Sequence, residues 1–165
     1  MPTDQTARTA HTARRAAALI ASVLSCDALL HLFWATGSTW PTHDVKSLSY
    51  AVLGADVPFT PPVLLPLATL LFTASGIVVA HARVPQPHVL LRLGTYAVLA
   101  GLSLRGLAGV YWVFTKEPGT AFYWLNLCAY TPLCAVLAAA AVRVARRGGV
   151  VAGGVVAGGE DAVRV

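Results

Sequence analysis

Charge is what this chain has least of. Asp, Glu, Lys and Arg make up only 12% of it, against roughly 25% in an average soluble domain. Acids are scarcest, seven against twelve Lys and Arg in 165 residues. Disorder of the main body is excluded, because a disordered segment needs low hydrophobicity and high charge, and 56% of this chain is apolar. Cysteine is limited to Cys26, Cys128 and Cys134. They lie in apolar stretches with no C-x-x-C pair and no zinc spacing, and are expected as small apolar packing residues. P-loop, dinucleotide and H-E-x-x-H patterns are missing as well. No metal site, no cofactor and no nucleic-acid partner is therefore expected.

What is present is apolar length. Mean hydropathy is +0.66, and the apolar residues are gathered in four blocks, at about 16–35, 62–82, 89–114 and 120–142. Each has the roughly 20 residues that a helix needs to cross about 30 Å of hydrocarbon. Helix is required there, since an open strand in lipid leaves its backbone groups unsatisfied. Pro66 and Pro132 fall inside blocks and are tolerable in a membrane helix. The expected fold is all-α: a polytopic four-helix transmembrane bundle. Residues 1–15 and 143–165 are expected as disordered tails, and 36–61 as an outer loop. An uncleaved first span is expected, because its apolar run continues well past Cys26.

The basic residues set an orientation. Arg8, Arg14, Arg15, Arg83, Arg92, Arg143, Arg146, Arg147 and Arg164 fall on one side, and Lys46 and Lys116 on the other. Nine against two places both termini in the cytoplasm and the 36–61 loop outside. The pI near 9.5 then reflects topogenesis. The expected location is the bacterial inner membrane, with the lipid bilayer as first partner.

Two ionisable residues remain inside the blocks, Asp27 and Arg105. Each costs about 2.5–3.5 kcal/mol by insertion scales and so needs a partner or a task. At 1.5 Å per residue Asp27 lies about 12 Å below the outer end of its helix and Arg105 about 13–14 Å. An ion pair between them is expected. His31 and Trp34 follow Asp27 by four and seven residues, on one helix face. In the fourth block Asn126, Tyr130 and Cys134 recur every four residues. The second block offers Pro66, Thr69, Thr73, Gly76 and Ala80 as a small, weakly polar stripe expected to face inward. In the third, Gly101 and Gly109 flank Arg105 and are expected to admit close helix packing.

Two readings follow. The cluster Asp27, His31, Trp34, Arg105, Asn126 and Tyr130 is either a polar core that fixes helix register, or a pocket for a ligand. Asp27 and His31 are too few to hold a metal. Facing histidines for haem are not expected, since His81 belongs at the opposite surface from His31. The favoured function is binding a small amphipathic ligand or a partner membrane protein. The alternative is a small membrane enzyme on a lipid-like substrate, with His31 as acid/base and Arg105 as anion clamp. A further possibility is an accessory subunit whose partner supplies the chemistry.

The run Leu30-His31-Leu32-Phe33-Trp34-Ala35-Thr36-Gly37, ending at Trp40, resembles the leucine-histidine-x-x-tryptophan-alanine-x-glycine signature of a bacterial family of four-span membrane proteins. That family is called domain of unknown function thirty-nine ninety-five. Leu104-Arg105-Gly106 and Phe122 to Tyr130-Thr131-Pro132-Leu133-Cys134 are similar to its later segments. The resemblance covers about 16–142 and implies the four-span architecture, with no activity attached. It also points to His31, Trp34, Arg105, Asn126 and Tyr130. The family pattern commonly has an acidic residue where this chain has Asn126, a departure that leaves Asp27 as the substitute carboxylate.

Overall fold

Four long helices dominate the chain. The computed structural model describes residues 4–157, and among them there is no strand. In order they are α1 (Asp4–Ala35), α2 (Val45–Leu53), α3 (Pro61–Arg83), α4 (Val89–Thr115), α5 (Ala121–Leu125), a π-helical turn (Asn126–Tyr130) and α6 (Thr131–Ala157). α5, the π turn and α6 join into one span. The four helices long and apolar enough to cross a membrane are Ala7–Ala35, Pro61–Arg83, Val89–Thr115 and Ala121–Arg146.

Both expected tails need correction where they are described. Residues 4–15 continue α1 and 143–157 continue α6; the rest of the tails, 1–3 and 158–165, lie outside the described residues. At the first, alanines and arginines of high helix propensity extend a helix already nucleated in the span. The 36–61 connection also contains more order than expected. Asp44 caps α2 by accepting from the Ser47 amide at 2.8 Å, and Gly54 closes it in the left-handed conformation, φ +65°. These are ordinary start and stop signals.

The helices pack in a ring: α1 against α3 and α6, and α4 against α3 and α6. Cross-helix contacts show that they alternate in direction. Trp34 packs with Leu64 in one cluster while Ala16 packs with Val78 in another, His81 reaches Leu91 while Ile77 lies against Gly94, and Gly109 lies against Thr131 while Gly106 lies against Cys134. The start of α1 and the end of α6 therefore share one end of the bundle, here the terminal end. α2 and the α4–α5 turn share the other, the loop end.

Two cores fill the interior. Towards the terminal end Ala16, Ala17, Ile20, Leu24, Val78, Ala82, Leu137, Ala140, Ala141 and Val144 pack together. Their small side chains let helix backbones approach closely, which suits a bundle whose helices gain little from hydrophobic exclusion in lipid. At the loop end Trp34, Leu48, Phe59 and Leu64 form a second core under α2. Leu70, Leu93, Leu104, Leu107 and Phe114 stay exposed on the outside, the surface that hydrocarbon would cover.

The expected inward stripe on α3 is also corrected. Pro66, Thr69, Thr73 and Gly76 are exposed, while Leu64, Ala68, Ser75, Val78, His81 and Ala82 are buried. Thr69 and Thr73 donate their hydroxyls to the carbonyls of Leu65 and Thr69, four residues back. Bonded to their own helix, they need no neighbour. Cys26 and Cys128 are exposed and do not serve as packing residues, whereas Cys134 is half-buried.

Candidate functional site

The six candidate residues form two groups. The first is on α1. His31 Nδ1 lies 2.8 Å from the Asp27 carbonyl oxygen and 3.4 Å from its carboxylate. Since a carbonyl only accepts, Nδ1 is the donor in this contact. The imidazole meets Trp34 edge-on, 5.4 Å between centroids. Trp34 in turn donates Nε1–H to the Trp40 carbonyl at 2.9 Å and packs on Phe59 at 5.6 Å. These contacts tie the end of α1 to the loop that follows. His31 and Trp34 are buried, and Trp34 belongs to the core beneath α2.

The second group joins α4 to the π turn, and its cause can be read locally. Pro132 has no N–H to give the carbonyl of Cys128, and its ring crowds the preceding turn. The backbone ahead of it opens to π geometry, with the Thr131 N–H bonded to the Asn126 carbonyl. Such bulges are frequent at functional sites. Here it delivers Asn126 into the α4–α6 seam, 1% exposed. Its Nδ2 donates to the Gly109 carbonyl at 2.8 Å. Its Oδ1 accepts from Arg105 Nη1 and from Thr131 Oγ1, both at 3.3 Å.

Gly109 makes this fit. A Cβ there would collide with Thr131 Oγ1 and lie 3.1 Å from Asn126 Oδ1. Gly106 also faces α6, with its imagined Cβ 3.6 Å from Cys134. Gly101, by contrast, has nothing within 4 Å and does not serve the close approach expected of it.

Arg105 is the centre of the second group. Its guanidinium carbon sits 4.9 Å from the Trp112 ring centroid and 5.6 Å from that of Tyr130. Two π faces and one amide oxygen hold the cation. The expected ion pair is not formed: among the described residues no Asp27 oxygen comes within 4 Å of Arg105. The reason is the ring order, in which α1 and α4 are not neighbours. Asp27 turns instead to His31, with its side chain about half exposed.

Sequence reasoning missed Trp112 as a partner of Arg105, and the Gly109 carbonyl and Thr131 hydroxyl as partners of Asn126. The signal was present: Trp112 follows Arg105 by seven residues and Gly109 by four, on one face of α4. It also missed the His81–Thr95 bond at the terminal end, where the Thr95 hydroxyl donates its own hydrogen bond to the Leu91 carbonyl at 2.8 Å. A cavity of about 400 Å3 opens between α2 and the α4–α5 turn, lined by Ser47, Tyr50, Lys116, Glu117, Thr120 and Phe122 among others. It contains none of the six candidates. No side-chain nucleophile lies within hydrogen-bond distance of His31, and no three His, Cys, Asp or Glu converge as metal ligands, among the described residues.

No curated protein and no solved structure matches this chain. A family model does, over residues 11–141, and that span takes in all four helices and both candidate groups. The chain belongs to the family described as protein of unknown function (DUF3995).

Proposed function

We propose that this protein is a multi-pass bacterial inner-membrane protein, both termini cytoplasmic, that binds a small amphipathic ligand with an acidic head at Arg105. The observation that carries this reading is a cation within a membrane-spanning helix that has two aromatic rings and an amide around it and, among the described residues, no carboxylate. An intramembrane charge without a counterion is costly, and an anionic ligand would supply that counterion. Arginine suits the task, because its planar fork binds carboxylate or phosphate in bidentate fashion while its face stays stacked. Asn126 holds one Nη in place, and Tyr130 and Trp112 supply apolar surface beside the head.

Asp27, His31 and Trp34 support a different part of this reading. Their mutual contacts brace the end of α1 and the loop that caps the bundle. The enzymatic alternative draws no support from this group, since His31 has no nucleophile to activate. A partner membrane protein presenting an acidic side chain would satisfy Arg105 equally.

The test is a fluorescence titration of the detergent-purified protein with dodecyl phosphate, laurate and uncharged dodecanol. Wild type is expected to saturate with the two acids and not with dodecanol, and Arg105→Gln to lose both responses. Equal responses to all three amphiphiles, or full binding in Arg105→Gln, would overturn the proposal.

A further inference from the structure

The routes to Arg105 differ in how tightly the packing closes them. Towards α6 the way is shut, with Gly109 against Thr131, Gly106 against Cys134 and the Asn126 amide bonded across the seam. Towards the terminal end lies the packed alanine, valine and leucine core. The loop end is roofed by α2. On one side its Leu48 joins Trp34, Phe59 and Leu64. On the other, Lys116 Nζ donates to the Gly54 carbonyl at 3.2 Å, and the Phe122 ring lies against Gly54. The cavity beside that roof does not have Arg105 in its lining.

The seam between α3 and α4 is closed in one half and open in the other. Near the turn that joins them Ile77 lies against Gly94, and His81 Nδ1 is 3.3 Å from the Leu91 carbonyl. Seven residues along a helix return to nearly the same face. One heptad beyond Gly94 is Gly101, where an added Cβ would meet nothing within 4 Å. On α3, which runs the other way, one heptad before Ile77 is Leu70, 63% exposed. Ala74 packs on the terminal core, yet Leu67, a heptad earlier, is 38% exposed. The faces that meet in the terminal half thus part in the loop half. The cause is that α3 stays with α1, through Ser75 on Ser25 and Leu64 on Trp34, while α4 stays with α6 through Gly106 and Gly109. Arg105 follows Gly101 by one turn on the same face of α4 and is half-buried, at the edge of the opening.

We infer that the ligand of Arg105 enters sideways from the bilayer through this opening and leaves its hydrocarbon chain between α3 and α4. This rests on the reading of Arg105 as an anion site and adds the ligand's class, an acid dissolved in the membrane and not a water-soluble anion. The occupant follows from the two chemistries that adjoin there. The guanidinium draws an acidic head. Leu67 and Leu70 offer hydrocarbon to the chain behind it, and Gly101 leaves the room of an absent side chain.

The test is a fluorescence titration of the full chain in mild detergent with laurate, acetate and inorganic phosphate. Wild type is expected to saturate with laurate and to ignore the two water-soluble anions. Gly101→Leu, which fills the opening, should weaken laurate about tenfold, because a clash built into a route is read as lost affinity. Leu70→Trp narrows the opening from α3 and should act in the same direction. Ala100→Leu, one residue away on the exposed face, should bind laurate as wild type does. Thermal unfolding of Gly101→Leu should match wild type, since nothing stands where the new side chain begins. No laurate binding in wild type, or binding that survives Arg105→Gln, would overturn both the anion site and this route. Binding that depends on Arg105 but is unchanged in Gly101→Leu and Leu70→Trp, or equal saturation by acetate or phosphate, would overturn the route alone. So would a dimer, seen by native mass spectrometry, that Gly101→Leu dissociates, because a second copy of the chain would then fill the opening.

Discussion

The two halves of this bundle use polar residues in different ways. In the terminal half and at mid-span, buried polar side chains pair across helices and with backbone carbonyls. His81 Nδ1 bonds Thr95, whose hydroxyl bonds Leu91, and Ser25 bonds Ser75, which also reaches the Ala21 carbonyl. Around them the packing is alanine, valine and leucine. In the loop half Asn126 is paired in the same way at both ends of its amide, but Arg105 is not. Its amide and aromatic neighbours orient the guanidinium, and among the described residues no carboxylate pairs with it. Polarity in a membrane helix is thus no guide by itself. What separates architecture from a site is whether the last polar group in the network has been neutralised.

That contrast can be broken most strongly at Gly109. A Gly109→Ala variant places a methyl group against Thr131 and Asn126, so overpacking should cost about 1–3 kcal/mol. Thermal unfolding in detergent should show a clear fall. In the same helix Gly101→Ala meets nothing, and should leave the unfolding temperature level or raise it. Equal effects of the two would mean that the α4–α6 seam is not set by this contact.

Asn126 comes next. Asn126→Leu removes the donor to Gly109 and the acceptor for Arg105 and Thr131. Stranding buried groups in this way costs about 1–3 kcal/mol. Both stability and acidic-ligand binding should fall together. If binding survives, Asn126 does not orient Arg105 and the amide belongs to architecture alone.

Thr95→Val sharpens the comparison from the other half. It removes one neutral hydrogen bond at His81, worth about 1 kcal/mol. Unfolding should shift modestly, while titration with laurate should be unchanged. A change in ligand binding would show that the two halves are coupled.

The smallest effect is expected in the α2 loop. Hydrogen bonds from the Ser47 amide and hydroxyl hold the Asp44 carboxyl below its ordinary pKa. A carboxyl with a depressed folded pKa contributes its stabilisation above the ordinary carboxylate value and loses it as the pH falls through the lowered one. Amide exchange at Ser47 should therefore accelerate only in acid below the usual carboxylate range. In Asp44→Ala it should be fast at every pH. Acceleration in the wild type already near neutrality would contradict the cap.

Much of the fold could be read from the sequence, and for a clear reason. Span length and apolar content are properties of single blocks, so an all-helical chain with four helices long and apolar enough to cross a membrane was legible. Features that depend on neighbours were harder. The Thr69–Thr73 stripe has the spacing of a face, but its hydroxyls close on their own helix and leave it outside. The pairing of Asp27 with Arg105 matched in depth, yet depth is one coordinate, and the order of helices around the ring placed α1 and α4 apart. The π turn had a cue in Pro132, although nothing in the spacing said that Asn126 would be swung into the seam. α2 was marked by Asp44 and Gly54, and capping logic applied there would have found it.

The account rests on Arg105 being a ligand's counterion and not a strut. Its most direct test is to measure bound mass and thermal stability on the same Arg105→Gln sample. If the account holds, wild type purified in mild detergent carries an acidic amphipath that the variant lacks. The variant, relieved of a charge costing about 2.5–3.5 kcal/mol in a bilayer, unfolds no earlier than ligand-free wild type. A variant that unfolds well before ligand-free wild type, with no bound mass on either protein, would contradict it and make Arg105 part of the architecture.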